Sequence, residues 1–480
     1  MINLDTLFLF ILIFASLPLL AISYNYLILI TASIKYNEKI KKIMESSKGL
    51  INPPKVTVII SSFNELYVIE RGIDSVKSID YPKDKLQIIV ADDSTDGTFQ
   101  IAKNKVSKLL TEGYDIQIIH RERRDGFKAG ALNNALNFAK GDYILIMDAD
   151  SIPPKDILRK SIPLMEGGYA FISFKIGHVD RDYSWVSKAC ALLVDMYETL
   201  ERAARNVLNL PFCLSGACSL IRKDYLEQIG GWSLDVLTDD MDISCKFFLK
   251  GKNGLFIKDI IVPGEDPPIL ESWKRQTARN AEGISQCLRK YFLRILCSRI
   301  SIISKIEFIL LLIWPFASMG WIMTTLFGAL GLLFKFQVMS SLFQNPTYIV
   351  LVMVPAMIIF FIPLYVLKLY NQNIKKNLLT IVLMYYYQLS MAISISIGCI
   401  KGIFGLKHEF FRTPKYGLKG KEGQWKGRYR IFISKISFLE LLIALILGAL
   451  SIIAFLDSSY FLGLNLLAFS IITIWSLYTR

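Results

Sequence analysis

YILIMDADS, Tyr143 to Ser151, is the stretch on which the reading of this chain turns. An apolar run of strand length stops at two carboxylates, Asp148 and Asp150, with Ala149 between them. Short apolar runs bounded by turn residues read as buried strands. In open α/β sheets ligands collect beyond the carboxyl ends of the strands, and a pair of carboxylates held there suits a hard divalent cation that carries phosphates. The pair alone decides nothing, because Asp180-x-Asp182 and Asp240-x-Asp242 have the same spacing.

Working outward, strands and helices alternate. Lys55–Ser61 (KVTVIIS) is rich in β-branched residues and follows Pro53-Pro54, which predicts a first strand. It runs into Ser62, Phe63, Asn64 and Glu65 and then a helix to about Lys77. Leu86–Ala91 predicts a second strand, ending in Asp92-Asp93-Ser94-Thr95-Asp96-Gly97. That ending suits a helix cap as well as a ligand loop. Ile116–Ile119 predicts a third strand, Lys128–Ala139 a helix rich in small residues, and Tyr143–Met147 the fourth strand. The alternation predicts a parallel, nucleotide-binding sheet.

Four motifs then fall in order: SSFNE at 61–65, DDSTDGT at 92–98, RRDGFKAGALNNAL at 123–136 and DADS at 148–151. Together they resemble the N-terminal half of a family 2 glycosyltransferase of the GT-A fold. LSGACSLIRKDYLEQIGGW at 214–232, LTDDMDIS at 237–244 and QTARNAEG at 276–283 resemble its second half, in the membrane-embedded branch that contains cellulose, mannan and hyaluronan synthases. The resemblance covers about Val56 to Gly283 and implies a Rossmann-like, nucleotide-sugar-binding α/β domain inserted between transmembrane helices.

The resemblance also implies roles. Asp93, with Asp92 beside it and Ser62, Asn64 and Glu65 nearby, would bind the nucleotide base; Lys128 would meet the diphosphate. Asp148 and Asp150 would hold Mg²⁺ or Mn²⁺. Asp240, next to Asp239 in Thr238-Asp239-Asp240, would be the general base, since a sugar hydroxyl needs its proton removed as the new bond forms. An N-cap followed by acids that complement the helix dipole is the plain alternative for that stretch. The chain departs from the family's Gln-x-x-Arg-Trp: Gln276 and Arg279 are present, but Asn280 stands where an aromatic face would lie beneath the acceptor sugar. Arg279 keeps its capacity for a bidentate diphosphate contact. Phe410-Phe411-Arg412-Thr413-Pro414-Lys415 resembles the gating loop of processive synthases, with Phe411, Arg412, Thr413 and Lys415 as its contact residues; an ordinary basic juxtamembrane loop is the alternative.

Composition points to a membrane protein. The chain has 480 residues, 53% hydrophobic and 20% charged, a balance too apolar for an ordinary soluble enzyme. Apolar stretches of spanning length occur at Thr6–Ala32, Phe308–Phe334, Thr347–Leu367, Leu378–Cys399, Leu439–Leu456 and Tyr460–Leu477. Lysines follow the first stretch and none precede it, which predicts an N-terminus outside and a cytoplasmic catalytic domain. The net charge of +14 gathers beside apolar segments, so lipid headgroups account for it and nucleic acid is not expected. Seven scattered cysteines and three dispersed histidines give no metal spacing and no disulfide framework.

The expected organisation is an N-terminal transmembrane helix at 1–34, a GT-A domain at 50–283, an amphipathic interfacial helix at 284–303 and two transmembrane helices at 304–370, the first kinked at Pro315. An interfacial or re-entrant helix with a basic gating-type loop follows at 371–435, then a C-terminal hairpin at 436–480, five spans in all. Leu378–Cys399 is kept from crossing because the basic stretch Lys401–Lys435 would otherwise lie outside. The function expected is that of a metal-dependent, inverting, membrane-embedded glycosyltransferase moving a sugar from a UDP- or GDP-sugar to a growing β-linked polysaccharide, possible export included. Transfer of one sugar to a membrane lipid, which Asn280 favours, is the first alternative. A catalytically silent scaffold is the second, against which the acids at 93, 148, 150 and 240 count.

Overall fold

The computed structural model describes residues 4–46, 52–333, 346–406, 410–429, 436–457 and 460–478. The end of the expected 308–334 span and parts of the basic stretch, at 407–409 and 430–435, lie outside the described residues.

Seven strands make one sheet: β1 (Val56–Ser62), β2 (Leu86–Asp92), β3 (Asp115–His120), β4 (Tyr143–Asp148), β5 (Phe171–His178), β6 (Cys218–Arg222) and β7 (Gly254–Gly264), in the order β3-β2-β1-β4-β6-β5-β7. β1 to β4 are mutually parallel, as the alternation of strand and helix predicts, and β2 is buried along its whole length. The expectation of a parallel sheet fails at one strand. β6 runs antiparallel between β4 and β5, so the sheet is mixed. The reason is connectivity: the chain enters β6 from the loop beside the ends of β4 and must run back along it.

The registers Ser62 with Asp92, Asp92 with His120, and Ser61 with Asp148 bring the carboxyl ends of four strands to one edge. Beyond β4 the Asp148-Ala149-Asp150 turn packs on the helix Ile69–Lys77 at Gly72, where a β-carbon would come within 2.2 Å of the Ala149 carbonyl oxygen. Only glycine permits that approach.

The helix Leu270–Cys297 is continuous, so the expected boundary after Gly283 falls inside it. Along it lies the 31-residue helix Ile374–Phe404, whose Gly398 and Gly402 face the Ala278 and Glu282 carbonyls at distances that exclude any β-carbon. Lys274 joins this pair to the helix Ile436–Leu456 through a buried ion pair with Glu440 at 2.7 Å, and Ser394 donates to the same carboxylate at 2.8 Å. Near Pro315 the chain breaks at Ile313 and bends by 60° between Ile302–Leu312 and the helix that follows.

Among the described residues three helices are long and apolar enough to cross a membrane, Leu9–Ile34, Ile374–Phe404 and Ile436–Leu456, or four if the bent pair is one span. This set differs from the five expected. It includes Ile374–Phe404, which charge placement had put at the interface, while the described apolar parts of the helices Pro346–Leu369 and Tyr460–Tyr478, at Met357–Leu369 and Gly463–Ser476, are shorter. Six of the seven cysteines are buried and all are free thiols.

Candidate active site

The edge formed by the strand ends carries the candidate residues. Asp148 closes β4 and receives Lys128 Nζ at 2.5 Å, while the same ammonium donates to the Gly216 carbonyl at 2.8 Å. A β-carbon on Gly216 would lie 3.1 Å from Asp240 Oδ2, which puts the Asp240 carboxylate against the same glycine. Burial works against the charge on Lys128, but Asp148, Asp239 and Asp240 outweigh it and raise its pKa above the ordinary lysine value. Asp148, Lys128, Gly216 and Asp240 thus form one continuous constellation.

Asp239 and Asp240 open the helix Asp239–Leu249. The Thr238 hydroxyl does not cap that helix; its neighbour is Cys287 Sγ at 3.8 Å. Three acids in the first turn are matched to the positive end of the helix. Their duties diverge. Asp242 is buried and accepts from the Tyr291 hydroxyl at 2.7 Å and Lys290 Nζ at 3.0 Å, tying this helix to Leu270–Cys297. Asp239 is pushed up to about 6, first by burial and then by Asp240 and Asp148, with Lys128 opposing.

Asp150 stands deeper than Asp148. Its Oδ2 accepts the Glu265 backbone N–H at 2.8 Å and faces Lys415 Nζ at 2.8 Å. Burial alone would raise the Asp150 pKa, but Lys415 and that N–H bring it below the ordinary aspartate value. Both carboxylates of the Asp-x-Asp pair therefore already hold a cationic group, the chemistry a hard divalent ion needs. Among the described residues no three His, Cys, Asp or Glu side chains gather closely enough to hold a metal alone. An ion here fits as Mg²⁺ and its like do, on one or two carboxylates with phosphate or water oxygens completing the shell.

Beyond the end of β1, Asn64 takes φ 56°, a left-handed conformation that asparagine tolerates, and its Oδ1 accepts Thr95 N–H at 2.8 Å. Its own N–H donates to Ser94 Oγ at 2.8 Å. Asp92 is buried and accepts from the Ser94 hydroxyl at 2.7 Å, with His120 Nδ1 at 2.7 Å. Asp93 is gripped by Arg121 through Nε at 2.7 Å and Nη2 at 2.5 Å. The two neighbouring acids therefore differ: Asp92 shapes the loop and Asp93 faces guanidinium. The buried Ser62 hydroxyl has no partner among the described residues.

The loop 410–418 returns to this edge after the membrane helices. Arg412 meets Glu65 bidentately, at 2.8 and 3.1 Å, and Arg279 Nη1 donates to the Phe411 carbonyl at 2.9 Å. Phe410 stacks on Phe127 with centroids 4.9 Å apart, between the guanidinium groups of Arg124 and Arg279. Phe411 lies beside Arg275. Thr413 is buried, whereas Gln276 and Asn280 are half-buried on the Leu270–Cys297 helix. Aromatic faces thus come from the returning loop, close to where Asn280 replaces the expected tryptophan.

Several residues here escaped the sequence reading. Glu265 is buried and accepts from Tyr416 N–H at 2.7 Å, Leu418 N–H at 2.9 Å and Arg71 at 2.8 Å, fastening the loop. Two acids before Pro267-Pro268 were the only available signal. His120, Arg121 and Arg124 lie in the basic run His120–Lys128, whose charges by themselves do not say which acids they meet. Asp180 accepts the Asp266 N–H at 2.8 Å, which gives its pair a structural use.

Residues 57–230 match the model of Glycosyl transferase family 2. This stretch is a family 2 glycosyltransferase domain. Among curated proteins the chain is 30% identical over 253 residues to glucomannan 4-beta-mannosyltransferase 2 of Arabidopsis thaliana, covering 52% of this chain and 47% of the relative. It is 28% identical over 268 residues to probable glucomannan 4-beta-mannosyltransferase 7 of Oryza sativa subsp. japonica, covering 54% and 46%. The chain thus spans about half the length of the curated relatives it matches. A solved mannosyltransferase of Pyrobaculum calidifontis, in complex with GDP-Man and Mn2+, aligns over 74% of this chain and all of its own, with a TM-score of 0.48 and 22% identity. The family 2 domain holds every strand from β1 to β6, whereas Asp240, Glu265, Arg279 and the loop 410–418 lie beyond the matched residues.

Proposed function

We propose that this protein is a membrane-embedded, inverting glycosyltransferase that moves a sugar, mannose foremost, from a nucleotide-sugar to a β-linked polysaccharide. The reading is carried by one observation: Asp148, Lys128, Gly216 and Asp240 meet at the strand ends of a family 2 domain. The mannosyl choice draws on the relatives' names.

Asp93 and the Ser62–Glu65 loop bind the base. Lys128 and Arg279 orient the diphosphate and balance its charge. Asp148 and Asp150 would hold Mg²⁺ or Mn²⁺, which supplies Lewis-acid neutralisation of the departing nucleoside diphosphate. Asp240 takes the proton from the attacking hydroxyl, with Asp239 beside it. One base on the face opposite the leaving group gives a single displacement with inversion, by the geometry that separates inverting from retaining glycosidases. Phe410 and Phe411 cover the site and exclude water. The catalytic domain lies on the cytoplasmic side with the N-terminus outside, because lysines follow the first apolar helix and none precede it.

A second reading, transfer of one sugar to a membrane lipid, is favoured by Asn280, whose amide offers no stacking face to a long acceptor. The purified full chain in lipid, given radiolabelled GDP- and UDP-sugars with Mn²⁺, separates the readings. High polymer supports polysaccharide synthesis, one lipid-soluble adduct supports the second reading, and neither transfer nor nucleotide hydrolysis with any donor would overturn both.

A further inference from the structure

A cavity of about 300 Å³ lies away from the strand-end site, between the start of the helix Trp185–Tyr197 and the turn that joins Pro346–Leu369 to Ile374–Phe404. Arg181, Lys188 and Lys376 bring three cations to it, and Asp182 is its one acid. Lys188 shares Asp182 at 3.2 Å. Lys376 is exposed and makes no ion pair among the described residues. Arg181 bonds Asp195, but Lys175 also holds that carboxylate, at 2.9 Å, so Arg181 is not neutralised by it alone. The cavity keeps an excess of positive charge.

Its second feature is direction. The Ile374–Phe404 helix starts at the cavity, with Asn373 as N-cap accepting Lys376 N–H at 3.1 Å, so the positive end of a 31-residue helix points there. The polar atoms are accompanied by apolar walls, Leu192 and Leu367. Trp185 lies on the same helical face as Lys188 and Leu192 and is 47% exposed. Phe360 and Phe361 on one apolar helix and Leu378, Leu379 and Val382 on the next are also exposed, which marks the surroundings as lipid-facing.

We propose that this cavity binds the phosphate of an anionic membrane lipid, with Arg181, Lys188 and Lys376 around the headgroup and Trp185 at the level of the bilayer interface. A zwitterionic headgroup brings its own cation into the same cluster and is disfavoured. A soluble phosphate shares the charge but leaves the exposed apolar surface of Trp185, Leu378 and Leu379 in water, whereas the glycerol and first methylenes of a lipid cover it. The site also adjoins the returning loop, since the Tyr183 hydroxyl donates to the Gly423 carbonyl at 3.1 Å and Gly420 N–H to the Val179 carbonyl at 2.8 Å. The proposal rests on membrane embedding and not on sugar transfer, so either can fail without the other.

The test uses the full chain extracted from vesicles of phosphatidylglycerol and phosphatidylcholine in equal amounts, with retained lipid counted by native mass spectrometry. The expected result is several-fold preference for phosphatidylglycerol, lost in Lys188→Ala with Lys376→Ala and kept in Lys103→Ala with Lys108→Ala, which removes equal charge elsewhere. Lys376→Glu, a single exposed change, should lower the preference and serves if the double variant does not fold. Unchanged preference in both cavity variants overturns the proposal. So does full displacement of the lipid by millimolar inorganic phosphate, which would make this a soluble-phosphate site.

Discussion

Two walls close the candidate site, and they are built by different physics. One is the strand-end wall, where Ser62, Asp92, His120 and Asp148 are set by the registers of four parallel strands. The other is the loop 410–418, which comes back across as many as 347 residues to pair Arg412 with Glu65. Ladder hydrogen bonds and buried apolar side chains hold the first. Charged contacts hold the second: Arg412 on Glu65, Lys415 on Asp150 and two loop N–H groups on Glu265. The loop is thus fastened in part to Glu65 and Asp150, two of the carboxylates proposed for the donor and its ion, while the strand ends are held by the sheet itself.

The largest effect should come from chemistry that leaves both walls standing. Asp240→Asn is expected to lower transfer by roughly 10²–10⁴-fold while nucleotide-sugar binding stays within about twofold, measured by radiolabel transfer and equilibrium binding; near-normal turnover would remove Asp240 from the base role.

Glu265→Ala attacks the loop, together with one contact to Arg71 on the helix Ile69–Lys77. It leaves Arg71 and two buried N–H groups without their acceptor, at a cost of about 3 kcal/mol. Transfer should drop at least about tenfold and limited proteolysis should open new cuts within 416–429. A cooperative loss of the whole domain without new cuts would break the distinction between the walls.

Gly72→Ala attacks the strand-end wall instead. The added methyl collides with the Ala149 carbonyl, 2.2 Å away, and should destabilise the domain by about 1–3 kcal/mol. Thermal unfolding should shift by several degrees with no new cuts in the loop; an unchanged transition would mean that the Asp148–Asp150 turn is less firmly seated than the loop.

The smallest effect is a pH slope. Burial works to lower the His178 pKa, but Asp266 at 2.8 Å and Asp195 outweigh it and raise it to about 9. A histidine raised from 6.5 in this way stabilises the fold fully below about pH 6.5. That stability is lost as pH rises through 9. The thermal midpoint should therefore decline between pH 7 and 9, and His178→Gln should flatten the decline; an equal slope in the variant would show that this cluster does not anchor the loop's neighbour, Asp266.

Much of the first wall was legible because its signals are local. KVTVIIS, LQIIVA and YILIMD announce strands by composition, and Asp148 and Asp150 follow one of them within two residues. Thr238 takes the N-cap position that the sequence suggests, but its hydroxyl makes no cap bond and lies beside Cys287 on the helix Leu270–Cys297. Glu265 carried no pattern, because its three partners lie on two other segments. The antiparallel course of β6 was equally hidden: a short strand has the same alternation in either direction.

Sequence alone therefore determined the alternating α/β order, the apolar flanks and the identity of the acids at the strand ends. Those follow from periodicity and residue chemistry within a few residues of each other. Tertiary structure decided which acids meet. It turned Asp242 into a tie to Tyr291, brought Asp240 beside Gly216, and set Lys415 on Asp150. It also placed Phe410 and Phe411 near Asn280's helix. The reason is that a carboxylate's partner is fixed by distance in space, and no local pattern encodes a contact closed by hundreds of intervening residues.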